Sequence, residues 1–274
     1  MDRAFMLNKV LSKQNRALLS ELVRTDFKLR YQGSILGYAW SLLRPLMLFA
    51  ILYVVFVKFI KLGGDIPHFP IYLLFGIVMW TFFADMTSQS LGSIVGRGDL
   101  IRKIRIPRWI VVISSTVGAL INLGLNLIVV LIFMILNKVE FLQTTIWLPL
   151  IFAELFILGL GLSLFLAAAF VKYRDLSYIW EVILQAGFYV TPILYSMTYI
   201  VNPTYQKILL LNPIAQVIQD ARYSLVTHSP NVVTIGSAFG NNWIRLVPVG
   251  LCFLILIGGI LYFSKEAKNF AEDL

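Results

Sequence analysis

WIVVISSTVGALINLGLNLIVVLIFMIL, Trp109 to Leu136, contains no charged residue. It is longer than the roughly 20 residues an α-helix needs to cross a hydrocarbon layer about 30 Å thick. Long apolar runs, four of them holding one or two charged residues, recur at 43–60, 70–91, 146–170, 178–199 and 246–263. Hydrophobic residues make up 59% of the 274-residue chain and charged residues 14%, with a mean hydropathy of +0.82. Soluble domains hold about 45–50% apolar and about 25% charged residues. The expectation is an all-α polytopic membrane protein with six transmembrane helices. It divides into a cytoplasmic amphipathic and gate segment (1–42), a six-span bundle (43–263) and a cytoplasmic tail (264–274).

Seventeen of the 23 Lys and Arg residues fall in segments 1–44, 92–108, 171–177 and 264–274, against six in the alternate loops. The positive-inside rule then places both termini in the cytoplasm. The net charge of +9 is thus a topology signal. Basic residues flank spans rather than crowd a soluble recognition fold, which argues against nucleic acid as a partner. The first thirty or so residues lack the apolar core and cleavage site of a secretory signal. Within the fifth run, GFYVTPILY (Gly187–Tyr195) carries a Thr and a Pro, so a kink or break is expected. The half-apolar LLLNPIAQVIQDARYSL that follows reads as a re-entrant or interfacial helix pair turning at Asn212-Pro213.

Two cytoplasmic pieces are patterned. Leu19, Val23, Phe27 and Tyr31 recur on one helical face while Arg16, Ser20, Arg24 and Lys28 share another, as in a helix lying at the headgroups. That helix serves either as an anchor or as a partner contact. In GRGDLIRKIRIPRW (Gly96–Trp109), the apolar residues Leu100, Ile101 and Ile104 oppose Arg97, Arg102, Lys103 and Arg105, and Asp99 favours a helix N-terminus. A loop that only sets topology needs no such stripe, whereas a helix docking on a soluble partner does.

Catalytic and metal signatures are missing. The chain has no G-x-x-x-x-G-K-[ST] phosphate loop, no H-E-x-x-H, no Ser/His/Asp set and one cysteine, Cys252. His68 and His228 stand alone, so no metal site is expected. Asp85, Glu154 and Glu181 are ionisable groups in or near spans, where burial is costly and function is a default hypothesis, but they form no evident relay. Phe49, Tyr53 and Phe56 share a face of the first span, as do Tyr72, Phe75 and Phe82 of the second. Such rings suit either lipid contact or stacking on sugars in a conduit.

DFKLRYQGSILGYAWSLLRPLMLFAILYVVF, LLFGIVMWTFF, LIRKIRIPRW, AAAFVKYRDL, FYVTPILY and LNPIAQVIQDAR, in that order and spacing, resemble the ABC-2 type permeases that export lipid-linked polysaccharides of the O-antigen, teichoic acid and capsule types. The resemblance spans nearly the whole chain. It implies a homodimer in the bacterial cytoplasmic (inner) membrane that carries a polyprenyl-diphosphate-linked glycan from the inner to the outer leaflet. Two copies of a separate ATPase subunit would bind ATP and Mg, so the chain itself needs no cofactor and is not an enzyme. Asp99, Leu100, Ile101, Arg102, Lys103, Ile104 and Arg105 match the family's coupling helix, the segment before Arg44 its interface helix, and 200–222 its external helices. The two aromatic stripes become candidate channel linings. Arg30, Gly33, Gly37, Tyr38, Trp40 and Arg44 become a candidate substrate gate. There Gly33 and Gly37 permit close packing or a bend, Pro45 sits in a helix first turn, and Arg44 with Arg30 meets the diphosphate. Interfacial anchoring is the other reading of the same residues. Alternatives are an ABC-2 exporter of a drug or small lipid, and a membrane-embedded glycan-processing enzyme, for which no carboxylate or metal cluster is visible.

Overall fold

The computed structural model describes residues 13–31, 34, 36–61, 63–64, 66–103, 107–141 and 143–270, and every regular element among them is helical. In order these are α1 (Lys13–Tyr31), α2 (Trp40–Leu52), α3 (Phe69–Leu91), α4 (Gly98–Lys103), α5 (Arg108–Leu136), α6 (Leu148–Lys172), α7 (Leu176–Val190), α8 (Pro203–Leu211), α9 (Pro213–Leu225), α10 (Ile235–Phe239) and α11 (Leu246–Glu266). In hydrocarbon a backbone must satisfy its own polar groups, and an uncharged apolar run does so as a helix. Among the described residues, five stretches are long and apolar enough to cross a membrane: Trp40–Phe59, Phe69–Leu91, Arg108–Leu136, Gln143–Lys172 and Asn242–Glu266.

The expected fifth span, 178–199, is not one continuous helix. α7 has 15 residues, about 22 Å at 1.5 Å per residue, and stops where Thr191 turns extended at ψ 136°. A residue before proline avoids the helical region, and here Pro192 follows. The break expected in GFYVTPILY is thus found at Thr191-Pro192, whereas the position of Pro45 departs from expectation. The helix begins at Trp40 rather than near residue 43, so Pro45 lies inside α2 and not in its first turn. Proline offers no N–H to the carbonyl four residues back. That carbonyl, of Ser41, instead accepts a hydrogen bond from Asn126 Nδ2 at 3.2 Å. That hydrogen bond ties α2 to α5.

α3 is the axis of the bundle, with residues from Ile71 to Trp80 buried on every side. A helix apolar all round belongs in such a place. α6 and α11 make the closest helix pair. A Cβ built on Gly259 would lie 2.1 Å from the Gly161 carbonyl oxygen, and one on Gly161 would lie 2.6 Å from Leu256 Cα. The far ends of the same pair are tied by Lys172 Nζ and Glu266 Oε2 at 2.5 Å. The expected pair of short helices is present as α8 and α9. They meet at Asn212, whose side chain caps α9 by accepting from the Ile214 N–H at 3.0 Å. α9 is not a surface helix: Gln216, Val217, Ile218, Gln219, Asp220, Ala221 and Arg222 are all buried.

Candidate functional site

Two small features set the direction of α2. Gly37 adopts φ +47°, a left-handed conformation that costs other residues energy, and opens the turn Gly37–Ala39 that leads into Trp40. No atom would lie within 4 Å of a Cβ there, so among the described residues the glycine serves the bend rather than close packing. The bend, with the Asn126–Ser41 hydrogen bond, places the first turns of α2 against the second half of α3 and the middle of α5. Between them lies a cavity of about 380 Å³ lined by Trp40, Ser41, Arg44, Pro45, Thr81, Asp85, Ser88, Gln89 and Asn122. Arg44 is exposed and Trp40 exposes 44% of its surface. Two side-chain oxygens of these residues, Gln89 Oε1 and Asn122 Oδ1, are buried away from the open space without a hydrogen-bond partner among the described residues.

A second polar cluster joins three elements beside this cavity. Arg97, in the turn before α4, forms an ion pair with Asp26 of α1. Arg97 Nη1 also donates to Ser114 Oγ of α5 at 3.0 Å, and Ser114 Oγ donates to Asp26 Oδ2 at 3.2 Å. Burial lowers the pKa of the Arg97 guanidinium from its ordinary value, yet arginine keeps its proton in proteins. Removing either partner leaves a part-buried charge alone, a loss of about 1–3 kcal/mol. α4 follows directly and is seated by Ile101, which packs in a core cluster with Val111, Val112, Phe263 and Phe270. The apolar stripe expected to dock a partner thus partly docks α4 on its own bundle, leaving Asp99 and Arg102 exposed.

At the other end of α3, Arg222 is fully buried. It donates through Nε to the Tyr72 carbonyl at 2.9 Å, through Nη1 to the Pro192 carbonyl at 2.6 Å and through Nη2 to the Ile193 carbonyl at 2.7 Å. Its guanidinium stacks 3.6 Å from the Tyr72 ring centre, and the Tyr72 hydroxyl donates to Gln219 Oε1 at 2.9 Å. Carbonyls beyond the end of α7 have no helical donor, and Arg222 supplies one. Nearby, Asp220 Oδ2 pairs with Arg245 Nε at 2.9 Å and accepts from Gln216 Nε2 at 2.6 Å.

The residues expected at the gate separate accordingly. Trp40 and Arg44 meet at the cavity with Asp85. Gly37 makes the turn, Gly33 lies outside the described residues, and for Arg30 and Tyr38 only the backbone is described. Of the coupling residues, Ile104 and Arg105 lie outside the described residues, as does the side chain of Lys103. Tyr72, Phe75 and Phe82 are buried inside the bundle, with Phe75 packed edge-on against Phe152 at 6.4 Å. Phe49 is buried too, whereas Tyr53 and Phe56 are half-buried. Glu154 is held near Gln216 and Asp220, and Glu181 is exposed. Sequence reasoning passed over Asp26, Gln89, Ser114, Asn122 and Arg222. Asn122 and Asn126, one helical turn apart in an uncharged span, carried a visible signal.

A bundle of long apolar helices with the polar α9 folded into it is the architecture of a polytopic membrane protein. The ABC-2 type transporter family model matches residues 17–226. An O-antigen export system permease protein RfbA of Myxococcus xanthus is 30% identical over 270 residues, covering 95% of this chain and 96% of that protein. An RfbA of Klebsiella pneumoniae is 26% identical over 258 residues, covering 94% and 95%. The polysialic acid transport protein KpsM of Escherichia coli is 21% identical over 253 residues, covering 92% and 94%. The chain belongs to the ABC-2 type transporter family.

Proposed function

We propose that this chain is the membrane subunit of an ABC exporter for polysaccharide. In this reading it works in the bacterial inner membrane as a homodimer with two copies of a separate ATPase. Its substrate is a polyprenyl-diphosphate-linked glycan carried from the inner to the outer leaflet. The observation that carries the reading is the near full-length likeness to permeases named for O-antigen export and polysialic acid transport.

With both termini cytoplasmic, α7 and the chain after Thr191 together make a sixth crossing. α4, presenting Asp99 and Arg102, meets the ATPase. Motion of α4 passes through Arg97 to Asp26, so α1 moves with it, and α1 leads through the Gly37 bend into α2. The cavity at Trp40 and Arg44 is then the gate that ATP hydrolysis opens, with Arg44 receiving the diphosphate as a charge-assisted partner.

The test is mild affinity purification from native membranes with mass spectrometry of proteins and lipids. The expected result is an ABC ATPase together with a polyprenyl-diphosphate glycan. Recovery of the ATPase with a different lipid or a drug-like molecule would overturn the substrate. Absence of any ATPase, from a preparation that keeps other complexes intact, would overturn the coupling scheme.

A further inference from the structure

We infer that one face of α7 is a water-facing wall of the glycan path, and that its carboxylate, Glu181, selects a glycan free of acidic sugars. The inference rests on the export reading above and deepens it by naming a substrate class. At 3.6 residues per turn, α7 sorts its side chains onto three faces. Trp180, Leu184 and Phe188 pack on the bundle core, where Trp180 Nε1 donates to Thr87 Oγ1 at 3.1 Å. Ile179, Val182, Ile183, Ala186 and Val190 make a second face, exposed and wholly apolar. Tyr178, Glu181, Gln185 and Tyr189 make the third. All four are exposed, Tyr178 to 72% and Tyr189 to 61%, and each carries a polar group.

The two exposed faces differ at equal depth. Ile179, Val182, Ala186 and Val190 each directly follow a member of the polar stripe, so each lies about 1.5 Å from it along the axis. A membrane-surface belt sorts residues by depth, whereas this stripe is sorted by direction and runs for about 16 Å. Lipid does not suit it. The exposed residues of α5 from Leu120 to Leu136 and of α11 from Leu246 to Leu261 are all apolar or glycine, as lipid contact requires. An ionisable side chain in a span faces a protein interior or a water-filled cavity, and exposed Glu181 does not face the interior of this bundle. A second copy packed symmetrically on the stripe would oppose like carboxylates. Water beside half of the sixth crossing leaves room for the exported polymer. The aromatic stripe of α3 is buried and closed to that role. A sugar chain matches the α7 stripe: Gln185 donates and accepts, Glu181 accepts from hydroxyls, and two tyrosine rings offer faces to sugar C–H groups. The one charge on the stripe is negative, so uronic or sialic acids would meet a like charge.

The test uses the complete permease–ATPase complex in lipid nanodiscs, with single variants Glu181→Cys, Gln185→Cys, Val182→Cys and Ala186→Cys. Cys252, fully buried, does not compete. Modification by water-borne methanethiosulfonates, one cationic and one anionic, is timed during ATP hydrolysis. Glu181→Cys and Gln185→Cys should react, and Val182→Cys and Ala186→Cys should not. At Gln185→Cys the cationic reagent should react faster. Adding Glu181→Gln should cut that preference by about three- to tenfold, the effect of one charge about 6 Å away on two oppositely charged probes in salt. The glycan recovered with the complex should contain no uronic or sialic acid. Equal reaction on both faces, or none at 181 and 185, overturns the stripe, while an ATPase recovered with a glycan lipid keeps the export reading standing. A recovered glycan built on acidic sugars overturns the charge selection. Absence of the ATPase or of any glycan overturns the export reading and this inference with it.

Discussion

Gly76→Ala tests the linchpin of the bundle. A Cβ at residue 76 would sit 2.0 Å from Arg222 Nη2 and 2.7 Å from Cζ. The end of a long side chain ordinarily swings aside, but this one is held by three carbonyls and a ring. Nη2 cannot retreat without releasing the Ile193 carbonyl. A hydrogen bond from a charged donor is worth about 1.5–3 kcal/mol, and overpacking a filled interior adds about 1–3 kcal/mol. Alanine returns about 1 kcal/mol as a better helix former. The net expectation is a loss of about 1.5–5 kcal/mol, read as a lowered unfolding midpoint of the nanodisc-embedded protein by tryptophan fluorescence. The coupling is also testable. Arg222→Lys alone should destabilise, because lysine cannot span three carbonyls as a planar fork. Added to it, Gly76→Ala should cost little more, since contacting residues are non-additive. Fully additive losses, or a Gly76→Ala midpoint equal to wild type, would refute the account.

Gly37→Ala should cost about 1–2 kcal/mol from its left-handed backbone and nothing from a clash, because no atom lies within 4 Å of a Cβ there; a much larger effect in thermal unfolding would restore the close-packing reading. Asp26→Ala and Arg97→Ala should each lower export in cells while the ATPase still co-purifies, and the double variant should be no worse than either single one. Gly161→Ala should separate α6 from α11, since the added carbon meets backbone at 2.6 Å, and should abolish a disulfide engineered across that helix pair. Lys172→Met should leave Glu266, 10% exposed at its side chain, without its partner and lower the midpoint by about 1–3 kcal/mol.

The all-helical membrane architecture was legible because hydrocarbon forbids unpaired backbone, so long uncharged runs admit one answer. The break at Thr191-Pro192 and the turn at Asn212-Pro213 were legible for the same local reasons. What stayed hidden depends on partners far along the chain. Arg222 counts in the sequence as one more loop cation, and only the fold brings the Pro192 and Ile193 carbonyls to it. The Tyr72–Phe75–Phe82 stripe marks a helix face but not what covers it, and α3 is covered all round. Pro45 looked like a first-turn residue because hydropathy locates apolar runs, whereas the helix begins earlier, at Trp40, outside that run. Asp26 belongs to a polar helix where a lone carboxylate is unremarkable until Arg97 stands beside it.

The long separation between Tyr72 and its partners bears on how the protein is made. Tyr72 meets Gln219 across 147 positions and Arg222 across 150. At about 5–20 residues per second, the axis helix waits on the order of ten to thirty seconds for them to leave the ribosome. The Pro192 and Ile193 carbonyls, 30 and 29 positions before Arg222, lack their guanidinium for only the last ~2–6 seconds of that interval, and α9, with two glutamines, an aspartate and an arginine in its sequence, is too polar to enter the bilayer by itself. The expectation is an ordered assembly: the apolar helices that precede α9 insert first, and α9 and then α11 complete the bundle. A chain truncated before Pro213 would be inserted yet left open at its centre, a natural target for membrane quality-control proteases.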